Sequence, residues 1–247
     1  MRLYLIRHAE SANNVLYSSQ GDLSERSPDP EITEIGHRQS ALLAAHLADP
    51  AGEPRHHPFV ANGSRHYGLT HLYCSLMTRA MLTAGYVAEA CAIPALAHTE
   101  MFERGGIFEF DQAGRPVGLP GPDSAYFRER FPGHHLPAGL NAHGWYDRPA
   151  ETDNQFVDRV RMVLGEIRQR HEHSDDVVAL VIHGDFIDQV INELMGVQRK
   201  PANYQRSWHT NWAFHNTSIS RIDFVDGSHS VVYLNRLEHL PVELVTW

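Results

Sequence analysis

The chain has 247 residues, 42% hydrophobic and 21% charged, enough to bury a sizeable core in one large domain. Against 30 Asp and Glu it carries 21 Lys and Arg, a formal charge of −9, which argues against a nucleic-acid backbone as the main partner but leaves room for a local anion pocket. Its two cysteines, Cys74 and Cys91, cannot make a disulfide framework and suit a reducing compartment.

Arg2 to Ile6 is a short apolar run bounded by charge, which predicts a first strand. It meets Arg7-His8 too soon to be the core of a signal peptide. Thr33 to Ala48 places Leu42, Leu43, Ala44, Ala45 and Leu47 at helical spacing, and Asp49-Pro50 stops it. Ala51 to Gly68 is polar and rich in His, Gly and Pro. A strand is expected at His71 to Cys74 and a helix at Thr78 to Ala92, ended before Pro94. Residues 104–150 resist the pattern; from Gly105 to Pro149 they are rich in Gly and Pro and dotted with aromatics. A structureless loop that long is uncommon in a compact domain, so an insertion with some structure of its own is expected. Asp153 to Arg170 is helical, with an acidic start and a basic end that suit the helix dipole. Val177 to Ile182 lacks polar alternation, as a strand covered on both faces does, and at six residues it is far too short to span a membrane. Asp185 to Met195 is a helix closed by Gly196. Strands follow at Ser218 to Phe224 and Ser230 to Leu234. The tail, Leu237 to Trp247, is apolar enough to dock on its own domain or on a partner.

Strands alternating with helices of this length predict an α/β fold. The expected architecture is a single three-layer α/β/α domain over residues 1–247, with a mostly parallel central sheet and residues 104–150 laid over the site as a lid. A soluble, cytoplasmic protein is expected.

Three strands end on chemistry. The first runs into Arg7-His8, the second into Ser75-Leu76-Met77-Thr78-Arg79, and Val177 to Ile182 runs into His183-Gly184-Asp185. Open α/β sheets bind ligands at the carboxyl ends of their strands. Two arginines and two histidines on one rim make an anion pocket, because guanidinium groups offer fixed, permanently charged donors to phosphate oxygens. Histidine can serve as nucleophile, acid or donor. Gly184 lets the backbone approach a ligand.

Arg7-His8-Ala9-Glu10-Ser11, with Asn14 following, resembles the Arg-His-Gly signature of the histidine phosphatase superfamily, the phosphoglycerate mutase-like group. Ile32-Thr33-Glu34-Ile35-Gly36-His37-Arg38-Gln39-Ser40 is similar to that family's Leu-Thr-x-x-Gly-x-x-Gln-Ala helix start. Ser75 to Ala80 with Thr83-Ala84 is similar to Ser-Pro-Leu-x-Arg-Ala-x-x-Thr-Ala. Val181-Ile182-His183-Gly184 resembles the second-histidine motif, and Asn216-Thr217-Ser218 the late Asn-x-Ser strand. Together, and in this order, these motifs run from the first strand to the penultimate one.

The resemblance implies a metal-independent phosphomonoester hydrolase acting on a small phosphorylated substrate. His8 would attack phosphorus and form a phosphohistidine. Arg7, Arg79 and His183 would hold the equatorial oxygens, with Asn14 adding a neutral donor beside Gly184. An acidic residue would serve the leaving oxygen. The matching stretch is Met101 to Gly106, which makes Glu103 the expected acid and leaves Glu100 and Glu109 as alternatives. Asp185 is a fourth candidate, read instead as the start of the next helix. Ala9 replaces the signature glycine, a change tolerated if its φ stays below zero.

Two rival functions follow from the same residues. A phosphoglycerate mutase or related phosphotransferase would return the phosphoryl group to an alcohol. The mutases' Gly-Trp-x-Asp-x-x-Leu stretch is not recognisable here, where Gly21 to Pro28 stands, and this favours hydrolysis. A catalytically weak phosphate- or phosphoprotein-binding module is the third reading, opposed by the two placed histidines.

No metal or cofactor is expected. The pairs His56-His57, His134-His135 and His171-x-His173 lack zinc-ligand spacing and read as surface polar residues. Cys74 reads as buried and structural, and Ser11 as shaping the loop around Asn14. Glu151 reads as a helix cap. Arg104, Arg115, Arg128, Arg130, His134, His135, Trp145 and Tyr146 are candidates for substrate choice or, equally, ordinary loop residues with Trp145 in the core.

Overall fold

The computed structural model describes residues 1–50, 67–197 and 212–247. The polar stretch after Pro50, including His56-His57, lies mostly outside them. In chain order the elements are β1 (Arg2–Arg7), α1 (Ala12–Ser18), α2 (Glu34–Ala48), β2 (His71–Ser75), α3 (Thr78–Cys91) and β3 (Ala95–His98). Next come β4 (Phe108–Phe110), β5 (Pro116–Gly118), α4 (Ser124–Arg130), β6 (His134–His135) and α5 (Asp153–His171). The chain closes with β7 (Val177–Ile182), α6 (Gly184–Leu194), β8 (Ile219–Val225) and β9 (Ser228–Arg236).

Seven strands form one sheet in the order β6-β3-β2-β7-β1-β8-β9. The pairings β6-β3, β3-β2, β2-β7 and β7-β1 are parallel; β8 and β9 add antiparallel partners at one side. Asp226-Gly227, both with positive φ, join those two strands as the Asx-Gly hairpin turn favours.

The central strands alternate between two apolar layers, as period-two side chains must. Tyr4, Ile6, Ala179 and Val181 face Leu43, Leu47, Met81 and Val87 of α2 and α3. Leu3, Leu5, Val178 and Leu180 face Phe156, Val160, Val163, Ile187 and Ile191 of α5 and α6. Each face of the sheet is therefore sealed by helices, which is why β7 carries no polar residue.

The helix starts are fixed locally. The Thr33 hydroxyl accepts from Gly36 N at the head of α2, and Thr152 forms a capping box with Gln155 at the head of α5. Glu151 is therefore not the cap of α5, as the sequence suggested; it is the ion-pair partner of Arg159.

The sequence missed β3, α1 and the small elements within residues 104–150. That segment does carry structure. It holds a two-stranded hairpin (β4 with β5), the short helix α4, and β6, which joins the edge of the main sheet beside β3. The tail docks on its own domain: Asn216 N donates to Thr246 O at 3.0 Å, and the Trp247 ring lies 3.7 Å from that of His215. No helix among the described residues is long and apolar enough to cross a membrane.

Leu5 is completely buried in the middle of β1. Leu5→Ala is expected to destabilise the fold by about 2–5 kcal/mol. The check is a lower urea midpoint at unchanged m-value.

Candidate active site

Strand register builds the centre of the site. Arg7 is paired with Ile182 across β1 and β7. The next residues, His8 and His183, therefore leave adjacent parallel strands side by side, and their rings lie 5.2 Å apart between centroids. His8 N donates to Ile182 O at 2.9 Å, which holds the two strand ends together.

Its neighbours fix the tautomer of His8. Nδ1 lies 2.7 Å from Ala9 O, a group that only accepts, so Nδ1 carries the hydrogen. Nε2 receives the Arg79 Nε–H at 3.1 Å, and an arginine only donates, so Nε2 holds a lone pair. Burial, then the charges of Arg79 and Arg7, push the His8 pKa well below its ordinary value. The imidazole is thus neutral, buried and aimed.

Arg79 lies in the first turn of α3, whose N-cap, Met77, offers no side-chain cap. Asp29 supplies one from a distant part of the chain. Its carboxylate accepts from Thr78 N at 3.0 Å and Thr78 Oγ1 at 2.8 Å, and lies 3.8 Å from Arg79 NH1. Burial raises the Asp29 pKa, and the Arg79 charge opposes that rise. Arg7 is anchored through NH1 to Phe214 O at 2.6 Å, while its buried Nε has no partner. Burial lowers Arg7 to about 10, so it stays charged at neutral pH.

His183 is the N-cap of α6 and is fully buried, yet neither ring nitrogen has a hydrogen-bond partner. Burial, then Arg79 and His8, push its pKa well down. A buried imidazole without partners costs stability unless a ligand satisfies it. A Cβ on Gly184 would lie 3.5 Å from Arg7 Nε, an ordinary contact. The glycine is therefore not forced by the fold; it keeps open the space beside the guanidinium.

Asn14 is oriented by three donors to its Oδ1: Ser11 N at 3.0 Å, Ser11 Oγ at 2.8 Å and Asn216 Nδ2 at 3.3 Å. That leaves its NH2 as the donor free to meet an anion. Ser11 shapes this loop, as expected. Asn216 Nδ2 also donates to His8 O at 3.0 Å.

The loop after β1 is clamped from α2 and α3. Gln39 Oε1 accepts from Glu10 N at 2.8 Å, Thr33 Oγ1 donates to Glu10 Oε1 at 2.6 Å, and Ala9 N donates to Thr83 Oγ1 at 3.0 Å. Gly36 is required here, because a Cβ would fall 2.3 Å from Glu10 O. Ala9 has negative φ, so its methyl group introduces no backbone strain.

Of the acid candidates, only Glu103 lies where the charges of both Arg7 and Arg79 act on it. Burial, then the carboxylate of Asp185, raise its pKa to about 7. Glu100 is engaged by both terminal nitrogens of Arg148 at 3.0 and 3.1 Å, and Glu109 is exposed on β4. Asp185 stands in the first turn of α6 with its side chain 57% exposed, at the rim.

Four contributors escaped the sequence reading: Asp29, Arg159, Thr83 and Gln39. The last two were visible only as motif letters without a role. Arg159, buried against Glu151, donates through NH1 to Glu100 O at 2.7 Å and Phe102 O at 2.9 Å, and lies 3.5 Å over the Phe102 ring. It sets the backbone that carries Glu103. Most of the expected substrate-choice residues have structural partners instead. Trp145 and Tyr146 are buried against Phe102; Arg104 pairs with Asp153, Arg115 with Asp111 and Arg130 with Glu31. His134 bonds Met81 O at 3.0 Å. Cys74 is buried, as expected, and burial pushes its thiol pKa up.

The raised Glu103 pKa has a stability consequence. Its protonated form favours the fold; that contribution is complete below about 4.5 and is lost as pH rises through about 7. Glu103→Gln is therefore expected to be more stable than wild type near pH 8 and equal to it near pH 4. Urea midpoints at the two pH values provide the check.

Comparison with known proteins places the family and the fold. The profile of the histidine phosphatase superfamily (branch 1) matches residues 3–237. A curated relative, "Probable phosphoglycerate mutase GpmB" of Yersinia pestis (strain Pestoides F), is 26% identical over 229 residues, 91% of this chain and 85% of that protein. Among solved structures, a mycobacterial glucosyl-3-phosphoglycerate phosphatase in complex with VO3 superposes with a TM-score of 0.57 at 18% identity, covering 96% of this chain and 99% of that one. The alpha-ribazole phosphatase of Shigella flexneri does so with a TM-score of 0.57 at 20% identity, covering 96% of each chain. With the profile matched from β1 through β9, the chain belongs to the histidine phosphatase superfamily.

Proposed function

We propose that the protein is a metal-independent phosphomonoester hydrolase that works through a phosphohistidine on His8. The observation that carries this reading is the His8 tautomer: a neutral, buried imidazole with its Nε2 lone pair turned to Arg79. A surface or core histidine needs no such arrangement.

The charges suit a phosphate dianion. Two guanidinium groups, Arg79 buried and Arg7 half-buried, stand beside two imidazoles whose pKa values are both pushed down. Arg79 would redirect the hydrogen bond of its Nε–H from His8 Nε2 to a phosphoryl oxygen, keeping its proton and freeing the lone pair as the substrate arrives. His8 Nε2 then attacks phosphorus in line, and the bond from phosphorus to the leaving oxygen breaks. The departing electron pair takes a proton from the Glu103 carboxyl group. Arg7, Arg79, His183 and the Asn14 NH2 hold the equatorial oxygens, where charge spreads in a loose transition state. Water next attacks the phosphohistidine, Glu103 carboxylate takes its proton, and phosphate leaves with His8 neutral again. Residues 104–150 would act as the lid over this pocket, supported by the path from Glu103 into that segment. Both cysteines are free thiols, which fits a cytoplasmic setting.

The name of the Yersinia relative favours a second reading, phosphoglycerate mutation, in which an alcohol replaces water as the acceptor. The two readings share every step up to the phosphohistidine and diverge at its acceptor.

p-Nitrophenyl phosphate hydrolysis in EDTA tests the first reading. Wild type is expected to turn over, His8→Ala to fall to background, and Glu103→Gln to lose about 10²–10⁴-fold. Wild-type rates retained by His8→Ala would remove the mechanism. Interconversion of 2- and 3-phosphoglycerate, with bisphosphoglycerate supplied, would select the mutase.

The pH profile is a separate test. The acid form of Glu103 is required, and it is lost as pH rises through about 7. kcat/KM is therefore expected to be flat below that value and to fall above it, with no ascending limb near the ordinary histidine pKa, because His8 is already neutral there.

A further inference from the structure

A second cluster lies at the opposite end of the sheet. His71 opens β2, His171 closes α5 and Asp176 immediately precedes β7. The phosphoryl pocket sits beyond the other end of β7, about 20 Å away for a six-residue strand. One donor atom from each of the three residues lies within 4.8 Å of the others. His171 Nδ1 is 2.8 Å from Asp176 Oδ2, and His71 Nδ1 is 3.9 Å from Asp176 Oδ1. The two imidazole rings are 4.5 Å apart between centroids.

His171-x-His173, read from the sequence as surface polar residues without zinc-ligand spacing, is only half so. His171 is buried, not a surface residue, while His173 is exposed and takes no part. His171 is also oriented from behind: its Nε2 meets the Tyr73 hydroxyl at 3.0 Å. Metal-bound histidines are held in this way, with one nitrogen on the cation and the other on a fixed polar group. The backbone of Asp176 is pinned by Arg2 N on its carbonyl at 2.9 Å and by Ser174 Oγ on its amide at 3.1 Å. His71 and Asp176 keep an open side, with side chains 34% and 28% exposed, through which an ion and water can enter.

We propose that His71, His171 and Asp176 bind a divalent transition-metal cation of the zinc class, in a structural role. Two imidazoles and one carboxylate, completed by water, are a donor set that zinc accepts. Donors around tetrahedral zinc stand about 3.4 Å apart, so the three donor atoms, all within 4.8 Å of one another, need to draw together only slightly. Calcium and magnesium prefer all-oxygen shells, so two imidazoles select against them. On binding, the neutral His171 imidazole changes tautomer: Nδ1 gives up its hydrogen and donates its lone pair to the cation, Nε2 takes one up and donates it to the Tyr73 oxygen, and no net proton is released. The ion would tie the end of α5 to the starts of β2 and β7.

The test uses full-length protein stripped with chelator and dialysed, then titrated with Zn2+ by calorimetry. Wild type is expected to bind one more Zn2+ per chain than His71→Ala, and Asp176→Asn to bind at that site at least tenfold more weakly. At a hundredfold excess over Kd, the wild-type Tm is expected to rise by about 5 °C, a rise missing in His71→Ala. Co2+-loaded wild type should show the visible absorption of a four-coordinate ion, and His71→Ala should not. His71 is partly exposed, so this variant leaves the core intact. Equal Zn2+ stoichiometry, Tm response and Co2+ spectrum in wild type and both variants would overturn the proposal. So would a wild-type Tm that Zn2+ does not raise. Phosphatase turnover in EDTA is expected to persist, so failure here leaves the hydrolase reading untouched.

Discussion

The parallel pairing of β1 with β7 is the constraint from which the site follows. Because Arg7 stands opposite Ile182, the next residue on each strand is a histidine, and the two rings meet without any loop having to find the other. A one-residue slip would break this meeting and turn every apolar side chain of β1 to the wrong layer. Those layers, with Leu3 and Leu5 on one side and Tyr4 and Ile6 on the other, hold the register. Hydrophobic burial thus positions the polar chemistry.

The pocket itself is costly to keep. Arg79 is buried and Arg7 half-buried with its Nε enclosed, each beside another cation, and His183 has two buried nitrogens without partners. Asp29 offsets part of this through Arg79 and, at the same time, caps α3. The rest is held by packing and by the clamps on residues 9–10 from Thr83, Thr33 and Gln39. Strain of this kind marks a place arranged for a ligand more than for stability.

Much of the fold was legible because periodicity reports burial directly. The two-sided strand β7 and the amphipathic helices α2, α3 and α5 were readable within a residue or two at each end. β3, with the sequence Ala-Leu-Ala-His, and the two-residue β6 were not, since neither is long enough to show a period. The residues converging on His8 follow strand ends, which a sequence displays. Asp29 was missed because its partner, Thr78, is 49 positions away and because Pro28-Asp29-Pro30 reads as an ordinary turn. Arg159 was missed because one buried arginine within an amphipathic helix looks like part of its solvated face. Glu151 was misassigned for the related reason that its partner lies two turns along α5.

The order of synthesis gives the β1 register a further meaning. β1 is made before the other strands of the sheet but lies between β7 and β8, so it cannot be enclosed until residues up to 225 have been added. Gln39, which holds the loop after His8, is itself bonded to Leu244 O and to Thr246 Oγ1, each at 2.8 Å. The nucleophile at position 8 therefore waits for the far end of the chain before its loop is fixed. Such long-range closure makes for slow folding, with β1 exposed as an unpaired apolar strand in the meantime. An amino-terminal fragment would carry the histidine but not the pocket.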